Sequence, residues 1–253
     1  MALTYMGVLL ALVAAAGIPA AHAEVLVVNG DDSYAPVVHL KNGKPAGILP
    51  AVLKRAEAMT GDTYVIRLSP WKRAYETAAR GEGGVMGISY TEDRAKLFDF
   101  SRPVYNDDIQ IVVLKEKVFP FAKLDDLKGR TIGGVIGASY GDKVDKAIAA
   151  GLFMVERDVG QTGRLRKLLA GRLDAAFIGN GDAGYEAVIN SHDELHANRD
   201  RFVILPTPLI RDPLHLGFAK SMGKRAALER FDAAVEQLRK SGELKTLTNA
   251  AAH

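Results

Sequence analysis

Short apolar runs alternate along the chain with stretches whose apolar residues recur every three or four positions, the two periods that mark strands and helices. Val25-Leu26-Val27-Val28 ends in Asn29-Gly30-Asp31-Asp32, which reads as a buried strand running into a loop. Residues 47–60 place Ile48, Leu49, Val52, Leu53, Ala56 and Met59 on one helical stripe, and Gly61 follows as a stop. A strand is expected at 63–68, a helix with Pro70 in its first turn at 70–80 and a third strand at 84–89, after which Thr91 opens a short helix. This β-α-β-α-β-α order predicts an α/β unit with a largely parallel sheet.

After a strand at 109–115 the pattern restarts. A turn of helix at 125–129 leads into strands at 131–135, 153–156, 174–178 and 202–205, with helices at 139–150, 161–170 and 181–190 between them. A strand at 214–219 and a long helix carrying Leu228, Phe231, Val235 and Leu238 on one face complete the chain. No Ser/Gly-rich tether separates the two units, so they are expected to meet through strands, as at a hinge. The expected division is 24–108 for the first unit, 109–206 for the second, and 207–253 returning to complete the first.

The first 23 residues contain no Asp, Glu, Lys or Arg. Their apolar run, residues 6–18, is too short for a membrane span, and Ala21-His22-Ala23 is a small-x-small cleavage pattern. A secretory leader cut after Ala23 is expected, which would place the mature chain in a periplasm.

Composition narrows the chemistry. The chain has no cysteine, which excludes disulfide frameworks, thiol nucleophiles and Cys-ligated metals. Its 33 basic and 30 acidic residues leave a charge of +3 with no basic cluster, so no nucleic-acid partner is expected. His192 and His196, four apart, lie in a polar stretch expected to be solvated. No phosphate-binding loop, dinucleotide fingerprint or serine-hydrolase elbow is present, and no cofactor or metal is called for.

The segment richest in chemistry is Gly87-Ile88-Ser89-Tyr90-Thr91-Glu92-Asp93-Arg94. Thr91 caps a helix whose first amides can face an anion, and Arg94 adds a planar fork suited to a carboxylate, at the sheet edge where α/β folds bind ligands. Arg94 could equally pair with Glu92, Asp93 or Asp99.

Ser89-x-Thr91-x-x-Arg94 followed by Phe98-Asp99-Phe100-Ser101-x-Pro103-x-Tyr105 resembles the signature of the bacterial extracellular solute-binding proteins of family 3, the polar amino acid-binding components of ABC uptake systems. Further segments resemble that family in the same order: Asp31 to Pro36, Pro45-x-Gly47-Ile48, Leu124 through Ser139, Gly171-Arg172-Leu173-Asp174-Ala175 and Gly217-Phe218-Ala219. The resemblance implies an α/β, two-lobed periplasmic binding protein fold of type II. Each lobe is then a mostly parallel sheet flanked by helices, and two hinge strands join them. It also implies a monomer that closes on a small carboxylate-bearing ligand, an amino acid or derivative, and delivers it to an ABC permease in the inner membrane.

Carried over by position, Arg94 and the Thr91 backbone would hold the carboxylate, with Ser89 beside them and Ser139 meeting it from the second lobe. Tyr34 and Trp71 would be apolar walls, and Asp31 would face a distal cationic group. Two positions depart from the pattern. Gly179 stands where amino acid binders carry an Asp for the ligand's ammonium, which leaves Asp182 as the candidate replacement, and Ala138 stands where a hydroxyl is common. Two other functions share the fold: a sensory module docking on a membrane receptor, and a lyase like the cyclohexadienyl dehydratases, with its general acid among Asp31, Glu82 and Asp182.

Overall fold

Leu26 and Val28 are both buried, and the strand they anchor, β1 (Val25–Asp31), lies inside a sheet with a parallel partner on each side. The computed structural model describes residues 23–251; the expected leader, apart from Ala23, lies outside the described residues. After β1, a small meander of β2 (Ser33–Tyr34), β3 (Val38–Lys41) and β4 (Lys44–Ala46) forms a separate antiparallel sheet. Helix α1 (Ile48–Thr60) buries the apolar stripe expected of it, and Gly61 closes it in the left-handed conformation. Then come β5 (Thr63–Ser69), α2 (Trp71–Ala79), β6 (Gly84–Ser89), α3 (Glu92–Leu97) and β7 (Phe98–Phe100).

The later part repeats the theme with β8 (Tyr105–Leu114), β9 (Thr131–Val135), α4 (Asp142–Ala149), β10 (Met154–Asp158), α5 (Gln161–Leu169), β11 (Ala175–Ile178), α6 (Gly181–Asn190), α7 (Asp193–Ala197) and β12 (Phe202–Ile204). The chain ends with β13 (Ile210–Ala219), α8 (Arg225–Lys240) and α9 (Glu243–Ala251). Among the described residues no helix is long and apolar enough to cross a membrane.

The strand order β10-β9-β11-β8-β13-β6-β1-β5 runs unbroken through the molecule. β1, β5 and β6 are parallel, as are β9, β10 and β11; the antiparallel strands β8 and β13 connect the two groups. Both are ten residues long, and each serves two partners. The first half of each pairs with the other, from Tyr105 opposite Leu214 to Ile109 opposite Ile210. The second half of β8 then joins β11 and β12, and that of β13 joins β6 and β7. Apolar side chains pack accordingly. One core gathers Leu26, Val52, Leu53 and Met86 with Phe231 and Val235 of α8; another gathers Ile111, Ile132, Phe153 and Phe177. The α8 side chains thus pack against the first parallel group.

Both connecting strands begin four residues before the sequence pattern indicates. Asn106, Asp107 and Asp108 open β8, and Arg211, Asp212 and Pro213 lie near the start of β13. Backbone pairing across the molecule recruits these polar segments into strands, and hydrophobic periodicity carries no trace of it. The same reason accounts for β7, which pairs with β13; the β2–β4 meander, also unexpected, pairs locally.

Candidate ligand-binding site

The parallel strands of the two halves end facing each other, the place where α/β sheets hold ligands. Asp31 ends β1, Ser89 ends β6, Val135 ends β9, and Gly179 follows β11. Around these ends lies a cavity whose empty space, part of it open to solvent, is about 620 Å³. Of the residues expected from sequence, Asp31, Tyr34, Trp71, Ser89 and Ser139 line it; Thr91, Arg94 and Asp182 do not.

Thr91 and Arg94 stand one layer behind Ser89. The Thr91 hydroxyl caps α3 by accepting from the Arg94 amide at 3.1 Å. The Arg94 guanidinium is buried, 5.0 Å from the Tyr75 ring centre and 5.8 Å from that of Trp71. It donates to the Ser89 carbonyl (3.0 Å) and, across the cleft, to the Gly137 carbonyl (3.4 Å). Trp71 Nε1 donates to the same Gly137 oxygen at 3.1 Å. Gly137 has φ +77°, and a Cβ there would lie 3.2 Å from Lys72, so the turn after β9 presses against α2. This clasp ties the halves together on one carbonyl. Trp71→Phe removes one of its donors and keeps the aromatic wall. It is expected to weaken ligand binding by about two- to tenfold, the worth of one hydrogen bond, as read by calorimetry.

Three carboxylates stand at or behind the cavity wall, and sequence reasoning missed two of them. Asp31 accepts from the Ser33 amide (3.0 Å) and hydroxyl (3.1 Å) through one oxygen, and burial pushes its carboxyl up to about 6. Asp212 lines the cavity from β13 and accepts from the Ser89 hydroxyl at 2.6 Å; burial raises it to about 6. Asp107 lies directly across the β8–β13 ladder from Asp212 and is fully buried. One of its oxygens accepts from the Asn180 amide and the other has no partner; burial raises it to about 7, with Asp212 adding to the rise. Among the described residues no group of three or more acidic or histidine side chains is arranged to hold a metal ion.

Gly179 now has a physical account. A Cβ there would lie 2.6 and 2.7 Å from the Tyr34 ring edge and hydroxyl and 2.9 Å from Asp107 Oδ2. The volume a side chain at 179 would need is filled by Tyr34 and by a carboxylate from β8. The expectation that Asp182 replaces the missing acid is corrected. Asn180 turns the chain in the left-handed conformation, α6 starts at Gly181, and Asp182 in its first turn faces a surface hollow with Lys115 and Arg199.

The second half adds two groups that sequence reasoning also missed. Gln161 and Arg164, at the start of α5, both line the cavity and are buried. Gln161 Oε1 accepts from the Gly179 amide at 3.1 Å, and Arg164 donates to the carbonyls of Phe177 and, at 3.4 Å, Gly160. Ser139 donates to Asp145 within its own turn.

Residues 26–250 match the family model of the bacterial extracellular solute-binding proteins, family 3. The probable amino-acid-binding protein YxeM of Bacillus subtilis is 25% identical over 233 residues, 88% of this chain and 82% of that protein. A probable amino-acid ABC transporter-binding protein of Haemophilus influenzae is 25% identical over 228 residues, 89% and 83% of the two chains. Among solved structures, a histidine kinase sensor domain with similarity to periplasmic binding proteins superposes with a TM-score of 0.74 at 24% identity, covering 89% of this chain and 95% of that one. That likeness shows a shared fold.

Proposed function

Because this chain belongs to the bacterial extracellular solute-binding proteins of family 3, we propose that it captures an α-amino acid between its two halves in the periplasm and delivers it to an ABC importer. The single observation that carries the amino-acid reading is Asp212, a buried carboxylate on the cavity wall, bonded to Ser89. It offers a ligand ammonium the counter-charge that position 179 lacks, and a buried ammonium without one is costly. The ligand carboxylate is received where Ser89 and Ser139 line the cavity, in front of Thr91 and Arg94. Arg94 acts from one layer back: it fixes Ser89 and the Gly137 turn and supplies positive potential. The halves are lobes, 24–108 with 207–253 and 109–206, hinged at β8 and β13, and closure shields the ligand. Delivery to an importer is favoured over sensing because the relatives above are named as amino-acid-binding and ABC transporter-binding proteins.

The test is a thermal-shift panel of α-amino acids against their amine-free analogues. An amino acid at a hundred times its dissociation constant adds about 2.7 kcal/mol, about 5–11 °C at this size. Amine-free acids are expected to be silent; a response to them alone would overturn the ammonium role of Asp212. One observation favours a lyase as the second reading: Asp31 and Asp212 sit near 6, where a carboxyl can act as a general acid close to neutral pH. Magnetic resonance of the bound compounds after long incubation decides between the two, and no product is expected.

A further inference from the structure

Two donors on the second-half wall are unused in the reading above. Gln161 and Arg164 stand three residues apart on α5, a spacing that puts them on one face of the helix, and both face the cavity. Gln161 is 5% exposed; its oxygen is taken by the Gly179 amide, and its Nε2 has no partner. Arg164 is 2% exposed, and its guanidinium meets only carbonyl oxygens, those of Phe177 and Gly160. Among the described residues no carboxylate lies within 4 Å of that guanidinium. The nearby acids do not touch it: Asp31 accepts from Ser33, and Asp158 pairs through one oxygen with Lys167 at 2.7 Å and leaves the other without a partner. No side chain caps α5, whose N-cap is Gly160 on the cavity wall, so the first amides of the helix add to the donor set.

A guanidinium, an orphan amide and an open helix N-terminus converge on one side of a cavity, all donors and none matched by a contacting anion. Burying a guanidinium without a contacting counter-charge costs stability, and an anion arriving with the ligand removes that cost. Resting on the amino-acid reading, we propose that Gln161 and Arg164 form a second anion subsite, one that takes a distal carboxylate of the ligand, so that the solutes bound are acidic amino acids. The ligand's ammonium then meets Asp212 and its distal carboxylate meets Arg164, while its α-carboxylate lies in the field of Arg94 one layer back.

The test is isothermal calorimetry on the mature chain with glutamate and aspartate against glutamine and asparagine. Wild type is expected to bind an acidic member at least about tenfold more tightly than its carboxamide partner. Gln161→Glu keeps the acceptor for the Gly179 amide but replaces the cavity donor with a negative charge. It should weaken the acidic member by about tenfold or more and leave the carboxamide within about threefold. Should Gln161→Glu fold poorly, Arg164→Gln serves the same purpose: it can still donate to Phe177 and should erase the preference for the carboxylate. Equal or tighter binding of the carboxamide, equal losses for both ligands, or binding confined to neutral or basic amino acids would overturn the distal subsite and leave the amino-acid reading standing. Silence toward every amino acid would overturn that reading, and this inference with it.

Discussion

Asp212→Asn is expected to weaken α-amino acid binding by about a hundredfold while making the ligand-free protein more stable. Truncating one partner of a buried charge pair costs roughly 2–5 kcal/mol, about 30- to 4,000-fold in affinity. The gain in stability follows from the carboxyl being held at about 6 instead of 3.8. A raised carboxyl means that the folded state binds the proton more tightly than the unfolded state, so stability falls as pH rises from about 4 to about 6. Above that window the full penalty stands, on the order of 3 kcal/mol at roughly 1.4 kcal/mol per unit. Asparagine carries no charge and can still accept the Ser89 hydroxyl.

Urea denaturation of the ligand-free variant should therefore show a gain at pH 7.5 that shrinks toward pH 4, where both side chains are neutral. The same titration weakens wild-type binding as pH falls below about 6, because a protonated Asp212 cannot hold an ammonium. Wild-type affinity in the variant, or affinity indifferent to pH between 5 and 7.5, would place the ammonium elsewhere. Binding here takes its counter-charge at a cost to the empty fold, the usual tension between stability and function.

The second large effect is at position 179. Restoring an acid by Gly179→Asp is expected to lose both stability and binding. Its Cβ would intrude on the Tyr34 ring at 2.6 Å and on Asp107 at 2.9 Å, and its carboxylate would join two others already raised by burial. Overpacking of this kind costs about 1–3 kcal/mol, and an unmatched buried charge adds to it. Gly179→Ala isolates the steric part. Tyr34→Ala in the Gly179→Ala background should recover most of it, a coupling of about 1–3 kcal/mol in a double-mutant cycle. Additive effects would mean that Tyr34 does not fill the space, and a Gly179→Asp protein as stable as wild type would refute the account of this glycine.

Both predictions concern residues whose roles are invisible locally. Asp107 and Asp212 are register partners more than a hundred positions apart in the chain, each in a polar stretch ahead of an apolar run. Nothing in their neighbourhoods marks them as buried. Arg164 reads as part of the charged face of α5, and its burial arises only when that helix packs under β11 and reaches the Phe177 carbonyl. Arg94 is the converse case. Its motif is plain in the sequence, but folding turns its guanidinium onto Ser89 and Gly137 and away from the cavity wall.

The sequence by itself determined the parallel strands, most of the helices, the Thr91 cap, the Gly61 stop, the family, and five of the cavity's residues: Asp31, Tyr34, Trp71, Ser89 and Ser139. Those features depend on local periods, caps and motifs, which neighbouring residues carry in full. Tertiary structure alone decided which charges share the cavity. The β8–β13 pairing sets Asp212 against Asp107, and the crowding of Tyr34 and Asp107 against Gly179 moves the carboxylate of the site from β11 to the connecting strands. A charge's effect depends on burial and on partners brought from distant parts of the chain, and both exist only once the chain has folded.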